Sequence, residues 1–129
     1  MDLFSKLKEM KILLIDDDEW IRDSLSLYFE GEGCHLLALE TGEEGIEELK
    51  KQDYDIIMID YKLPGMDGLA FLKRIQKTQQ HAMKVLITSY RQEEIVSEAK
   101  NMGVNDIIEK PFDTDIIEET LSQLIKKHK

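Results

Sequence analysis

The chain has 129 residues, a formal net charge of −10 and a pI near 4.7. This length suits one compact domain with a single continuous core, and a hydrophobic content of 42% with only 2 prolines argues against a disordered chain. The acidic balance gives no support to direct nucleic-acid binding, because surfaces that follow a phosphate backbone need clustered Lys and Arg.

Nothing in the sequence indicates a membrane or secreted protein. No apolar run approaches the roughly 20 residues that a membrane span requires. The opening residues 1–10 carry 4 charged side chains where a signal peptide needs an uninterrupted apolar stretch. The single cysteine, Cys34, cannot form an internal disulfide, and we interpret it as a small buried hydrophobe. We therefore expect a cytoplasmic protein.

Residues 1–10 are interpreted as a short N-terminal leader in front of a domain at residues 11–129. Leu3, Phe4, Leu7 and Met10 stand at roughly helical spacing in this leader. Two interpretations stay open: the leader packs on the domain or on a partner, or it is disordered.

Short apolar runs predict five β-strands, over residues 11–15, 34–39, 55–59, 83–87 and 106–108. The first run, KILLI, ends abruptly in three aspartates, as a strand buried on both faces does when it reaches the edge of a sheet. The segments between the runs carry apolar stripes at helical spacing. These stripes predict five helices, over residues 20–30, 41–50, 67–77, 92–102 and 113–127.

Strands that alternate with helices predict an α/β fold with a doubly wound, five-stranded parallel sheet of order 2-1-3-4-5 and a flavodoxin-like topology. Thr41 is expected to cap the second helix and Asp18 the first. Sheets of this kind bind ligands beyond the carboxyl ends of the strands, where the strand order reverses. For this order the reversal lies between the first and third strands.

Polar residues follow four of the predicted strands at this same edge. They are Asp16, Asp17 and Asp18 after the first strand, Asp60 after the third, Thr88 and Ser89 after the fourth, and Lys110 after the fifth. Several carboxylates at one point repel one another, so a cation or a bound proton is needed. Mg²⁺ takes one or two carboxylates and a phosphate oxygen, and it is therefore the expected cofactor.

A carboxylate beside a metal ion can act as a nucleophile toward phosphorus if the charge on the transferred oxygens is neutralised. Lys110 can supply a positive charge for one phosphoryl oxygen, and the Thr88 hydroxyl can donate to another. The sequence thus predicts a phosphoryl-transfer site.

The chain resembles the receiver domain of two-component response regulators, with a chemotaxis-regulator-like fold. The matching segments are KILLIDDD at 11–18, DIIMIDYKLPGMDG at 55–68, VLITS at 85–89 and IIEKPF at 107–112. The resemblance implies that Asp60 is the phosphoacceptor. It also implies that Asp17, Asp60 and the backbone carbonyl of Lys62 ligate Mg²⁺, that Asp16 binds the ion through water, and that Thr88 and Lys110 contact the phosphoryl group.

The switch residues of this chain depart from the family pattern. Ile107 stands where the family usually has a Tyr or Phe that reorients on activation, so motion is expected instead in the loop that holds Ser89, Tyr90 and Arg91. The resemblance also places Lys62 and Tyr90 where they gate the access of water to the acyl phosphate.

The resemblance implies a sensor histidine kinase or phosphotransfer protein as phosphodonor in a phosphorelay. It also implies a signalling domain rather than an enzyme, one that catalyses its own phosphorylation and dephosphorylation. The face formed by residues 92–102, 106–108 and 113–127 is expected to dock an effector domain or downstream protein. Homodimerisation on phosphorylation is an open alternative, and direct contact with nucleic acid or membrane is not expected.

Three other functions are alternatives for this sequence. A phosphatase of the haloacid-dehalogenase type would use Asp16 and Asp18 as nucleophile and acid, but it leaves Asp60 unexplained. A flavin module would need Ser, Thr or Gly donors in the first loop, where this chain has carboxylates. A receiver-like interaction module that works without phosphorylation is the third alternative.

Overall fold

The computed structural model describes residues 2–127; Met1, His128 and Lys129 lie outside them. Helices and strands alternate along the chain as α1 (Leu3–Leu7), β1 (Lys11–Ile15), α2 (Glu19–Gly31), β2 (His35–Leu39), α3 (Gly42–Lys51), β3 (Ile56–Asp60), α4 (Gly68–Ile75), β4 (Met83–Thr88), α5 (Glu93–Asn101), β5 (Asp106–Glu109) and α6 (Thr114–Lys127).

The five strands form one parallel sheet of order β2-β1-β3-β4-β5. This confirms the predicted α/β class and strand order. All 5 residues of β3 are buried, as expected for a central parallel strand that helices cover on both faces. The chain reverses its direction of winding between β1 and β3, so the carboxyl ends of these two strands lie side by side.

The sheet divides the apolar interior into two cores because successive side chains of a strand point to opposite faces. The first core joins α1, α2 and α6 to one face, and Ile12 and Leu14 point into it. The second core joins α3, α4 and α5 to the other face, and Leu13 and Ile15 point into it. The two clusters hold the sheet rigidly between them.

Side-chain caps set where several helices begin. Asp18 caps α2 by accepting hydrogen bonds from the backbone N–H of Trp20 at 2.9 Å and of Ile21 at 3.4 Å. Thr41 and Glu44 form a reciprocal capping box at the start of α3. The predicted caps at Asp18 and Thr41 are therefore confirmed.

All five predicted helices form, and the leader adds a sixth helix, α1, that the prediction did not count. Asp2 caps α1, and Leu7 is fully buried in the first core. The rings of Phe4 and Tyr28 meet edge to face with centroids 6.0 Å apart. Of the two interpretations of the leader, packing on the domain is the correct one.

Five strand ends differ from the prediction, each by one residue. The third strand runs to Asp60, which pairs with Ile87, and the fourth strand runs to Thr88. Strand pairing continues past the last apolar residue because the N–H of Tyr61 donates to the Ile87 carbonyl at 2.7 Å. Asp60 and Thr88 are therefore held by the sheet itself.

Within residues 2–127, no helix is long and apolar enough to cross a membrane.

Replacing Leu7 by alanine removes a fully buried side chain from the first core. We expect Leu7→Ala to lower the free energy of unfolding by about 2 to 5 kcal/mol, because the lost apolar contact leaves a cavity. Urea denaturation followed by circular dichroism measures this change. Glu9→Ala, at an exposed position of the leader, is the control and should stay within about 0.5 kcal/mol of the parent. Equal stabilities of the two variants would contradict the packed leader.

Candidate functional site

Three carboxylates meet at the carboxyl ends of β1 and β3. Asp16 and Asp17 follow β1 directly, and Asp60 is the last residue of β3. One oxygen of each carboxylate lies within 4.8 Å of the others, and we call these three residues the acidic cluster. The predicted convergence is therefore confirmed. The chemical roles of the three residues stay predictions at this point.

The members of the acidic cluster differ in exposure. Asp16 and Asp60 are buried, with relative exposures of 0% and 4%, whereas Asp17 is exposed. Asp18 does not belong to the cluster, because its side chain caps α2. Its backbone N–H donates to Asp16 Oδ1 at 2.9 Å and so orients that carboxylate. The phosphatase alternative therefore lacks the acid partner that it requires beside Asp16.

Lys110 reaches the acidic cluster from the end of β5. Its Nζ lies 3.1 Å from Asp16 Oδ2 and 3.1 Å from Asp60 Oδ2. The backbone N–H of Lys110 donates to the Thr88 carbonyl at 2.8 Å, and the bond from Lys110 to Pro111 is cis. One ammonium group thus bridges the ends of two strands.

The charges of these groups depend on one another. Burial, followed by repulsion from Asp16, raises the pKa of Asp60 to about 6, although the ammonium of Lys110 opposes the rise. Burial alone would lower the pKa of Lys110, but Asp16 and Asp60 outweigh it and raise that pKa. The site therefore holds a stable ammonium beside the Asp60 carboxyl, which loses its proton less readily than a free aspartate does.

A cleft of about 420 Å³ opens over the acidic cluster. Its walls are formed by Asp17, Asp60, Lys62, Leu63, Pro64, Ser89, Tyr90 and Lys110. The Tyr90 ring is half exposed, and the Nζ of Lys62 lies 5.9 Å from the ring centroid. The predicted gating residues Lys62 and Tyr90 thus lie next to each other at the mouth of the cleft.

Two predicted switch residues do not line this cleft. The Thr88 hydroxyl is buried, accepts a hydrogen bond from the Tyr90 N–H at 2.9 Å and donates to the Tyr90 carbonyl at 3.2 Å. Ile107 lies in β5 with its side chain in the second core. The guanidinium of Arg91 donates to the Ile107 carbonyl at 3.4 Å, which connects this strand to the loop after β4.

Arg22 supports the site, although the sequence pattern did not single it out. Its Nη1 donates to the backbone carbonyl of Asp16 at 3.0 Å and so holds the loop between β1 and α2. The feature of the sequence that could have indicated this role is the position of Arg22 one helical turn after Asp18. Gly68 also supports the site, because it leaves no room for a side chain: a Cβ there would lie 2.5 Å from the Asp60 carbonyl oxygen.

The donor set of the acidic cluster fits a hard divalent cation such as Mg²⁺. Carboxylate oxygens are ligands that Mg²⁺ prefers, and a single lysine does not neutralise three carboxylates. Asp16 Oδ2 lies at ion-pair distance from Lys110, yet this buried oxygen accepts no directed hydrogen bond from any residue between 2 and 127. This oxygen can therefore accept a hydrogen bond from a water molecule on the ion.

A family model of the response regulator receiver domain matches residues 12–122. The chain belongs to the response regulator receiver domain family. Sporulation initiation phosphotransferase F of Bacillus subtilis (strain 168) is 30% identical over 115 residues, which cover 89% of this chain and 93% of that protein. The cell cycle response regulator CtrA of Brucella ovis is 29% identical over 120 residues, which cover 93% of this chain and 52% of that protein. This receiver domain is a signalling domain of two-component systems and not a classical enzyme.

Solved structures of receiver domains share the fold. A CheY-like receiver domain protein of Methanospirillum hungatei is 29% identical with a TM-score of 0.81, covering 92% of this chain and 98% of that one. The response regulator TrrA of Thermotoga maritima, solved in complex with Mg²⁺ and BeF, is 27% identical with a TM-score of 0.78, covering 89% and 98%. The chain spans about half the length of CtrA and 31% of a cyclic di-GMP phosphodiesterase of Thermotoga maritima.

Replacing Asp60 by asparagine should stabilise the metal-free protein near neutral pH. The pKa of Asp60 rises on folding from 3.8 to about 6, so the folded state keeps its proton to a higher pH than the unfolded chain. The stabilisation that protonated Asp60 gives to the folded state is fully present below pH 4 and is lost as the pH rises to about 6. We expect Asp60→Asn to be more stable than the parent by on the order of 1 kcal/mol above pH 7, with convergence below pH 4.

Urea denaturation at several pH values in the presence of EDTA measures this difference. Lys110 keeps Asp16 as a partner in the variant. Asp53→Asn, an exposed position outside the acidic cluster, is the control and should show no such pH dependence relative to the parent. A stability difference for Asp60→Asn that does not change between pH 4 and pH 8 would contradict the raised pKa.

Proposed function

We propose that Asp60 accepts a phosphoryl group in a Mg²⁺-dependent reaction and thereby switches this receiver domain. The observation that carries the proposal is the position of the Lys110 ammonium, 3.1 Å from Asp60 Oδ2, beside the carboxylates of Asp16 and Asp17. Asp60 is the cluster member that is both buried and part of the wall of the cleft. A phosphodonor in the cleft reaches it directly.

The residues that would hold Mg²⁺ are Asp17, Asp60 and the backbone carbonyl of Lys62, with Asp16 acting through a water molecule. When bound, the ion neutralises the carboxylates and the phosphoryl oxygens that approach them. Asp18 takes no part, because its carboxylate is engaged at the start of α2.

Asp60 and Lys110 have different roles in the phosphoryl transfer. A carboxylate oxygen of Asp60 attacks the phosphorus of a phosphohistidine; the O–P bond forms, the P–N bond breaks, and the imidazole leaves with the electron pair. The Lys110 ammonium binds one of the phosphoryl oxygens, and it stays protonated because its pKa is raised. The domain in this way catalyses its own phosphorylation. Attack by water on the phosphorus of the acyl phosphate then breaks the bond to Asp60, releases inorganic phosphate and restores the carboxylate.

The loop after β4 supplies the switch. The Thr88 hydroxyl is engaged with the Tyr90 backbone, so it has to turn away from the loop before it can donate to a phosphoryl group on Asp60. This exchange of partners moves Ser89 and Tyr90. Ile107 has no ring to reorient, and the movement therefore passes through the loop and its contact with β5.

The partners follow from this function. A sensor histidine kinase or phosphotransfer protein donates the phosphoryl group, and the face formed by α5, β5 and α6 receives an effector domain, a downstream protein or a second copy. We propose a cytoplasmic receiver domain at residues 11–129, with residues 1–10 as a leader packed on it. The net charge of −10 supports the absence of direct nucleic-acid binding.

Incubation with Mg²⁺ and a small acyl phosphate should add one phosphoryl group to the parent protein and none to Asp60→Asn. The amide of asparagine lacks the nucleophilic carboxylate oxygen. Intact mass spectrometry measures the added mass, and omission of Mg²⁺ serves as the second control. If the parent stays unmodified with both the acyl phosphate and a phosphorylated histidine kinase, the domain acts without phosphorylation and the proposal is wrong.

Replacing Tyr90 by alanine should shorten the lifetime of the phosphorylated protein by about threefold or more. The ring stands at the mouth of the cleft beside Lys62, where it hinders the approach of water to the acyl phosphate. Loss of the added mass with time gives the half-life. Leu27→Ala, an exposed apolar position on α2, is the control. A half-life that Tyr90→Ala leaves unchanged would count against this gating role.

A further inference from the structure

The loop of residues 61–67, between β3 and α4, carries Lys62 and is held by hydrogen bonds at two places. At its ends, the Gly68 N–H donates to the Tyr61 carbonyl at 2.8 Å. In its middle, the Met66 N–H donates to Glu43 Oε2 at 3.2 Å. Glu43 belongs to the first turn of α3, so a helix on the second core holds a loop that begins at the acidic cluster.

The contact between α3 and this loop is close on both sides. Gly65 has a φ of +71°, and a Cβ added there would lie 2.9 Å from Glu43 Oε2. A Cβ at Gly42 would lie 3.3 Å from the Met66 carbonyl oxygen. The Glu43 carboxylate thus occupies the space beside Gly65 that a side chain would otherwise take.

Helix capping does not account for Glu43. Thr41 and Glu44 already form the capping box of α3, and Glu44 Oε1 accepts from the backbone N–H of Thr41 at 3.1 Å. Glu43 stands beside them in the same turn, but its carboxylate points across to the Met66 N–H, 23 residues further along the chain.

We propose that Glu43 is a positioning residue for the metal site. It fixes residues 61–67 through Met66 and Gly65, and the fixed loop presents the backbone carbonyl of Lys62 to the cation. The inference rests on the proposed function, because it assigns Glu43 a part in binding Mg²⁺. Glu43 itself does not touch the ion or the phosphoryl group.

Isothermal titration of the full chain with Mg²⁺ tests the inference with three variants. Glu43→Ala removes the acceptor and should weaken Mg²⁺ binding by about three- to tenfold. Glu43→Gln keeps an amide oxygen that can accept from the Met66 N–H, and it should bind within about twofold of the parent. Glu47→Ala, which removes an exposed carboxylate one turn further along α3, should bind like the parent.

The pattern across these variants separates positioning from long-range charge. If Glu43→Gln and Glu47→Ala weaken Mg²⁺ binding as much as Glu43→Ala does, the effect is one of net charge and the inference is overturned. Parent-like affinity of Glu43→Ala overturns it too. Thermal unfolding of each variant without Mg²⁺ checks that the fold is retained, and rescue by Gln argues against a merely structural effect.

Hydrogen exchange of the Met66 amide in the metal-free protein gives a readout that does not depend on Mg²⁺. Glu43→Ala should speed this exchange at least about threefold, because the amide loses its acceptor, whereas Glu43→Gln should not. Unchanged exchange overturns the inference. If the parent fails to bind Mg²⁺, the proposed function fails instead, and the two failures are therefore distinguishable.

Discussion

The pairing of one ammonium with a group of crowded carboxylates is the interaction on which the rest of the site depends. Without Lys110, the buried Asp16 and Asp60 would repel each other, and burial already disfavours the charged form of Asp60. With Lys110, the ends of β3 and β5 are joined across the edge of the sheet. The site is thus held in a state that tolerates negative charge and still attracts a further cation.

The doubly wound sheet explains why such a costly arrangement is stable. Asp60 ends a strand that is buried along its whole length, and the two cores fix that strand from both faces. The loops beyond the sheet are held by separate devices: Arg22 supports the backbone at Asp16, and Glu43 supports the backbone at Met66. Rigid strands therefore supply the carboxylates, while helices on either face restrain the loops that complete the site.

The sequence was sufficient to predict the fold class, the strand order and the convergence of the carboxylates, because these follow from apolar periodicity and parallel topology. It was not sufficient for features that depend on distant parts of the chain. The apolar spacing of the leader allowed it to pack on the domain, but only the position of Leu7 in the first core decides between packing and disorder. The inward hydrogen bonds of Thr88 depend on the path of the loop after β4. The contacts of Arg22 and Glu43 depend on how helices meet loops in space.

The leader helix also places the start of the chain near one side of the molecule. α1 contacts α6, and the hydroxyl of Tyr28, whose ring meets Phe4, donates to Glu118 of α6. An affinity tag or fluorescent protein fused before residue 2 would therefore stand beside α6, at the border of the face proposed for effectors. In two-hybrid and pull-down studies, an amino-terminal fusion would risk blocking the surface to which the partner binds.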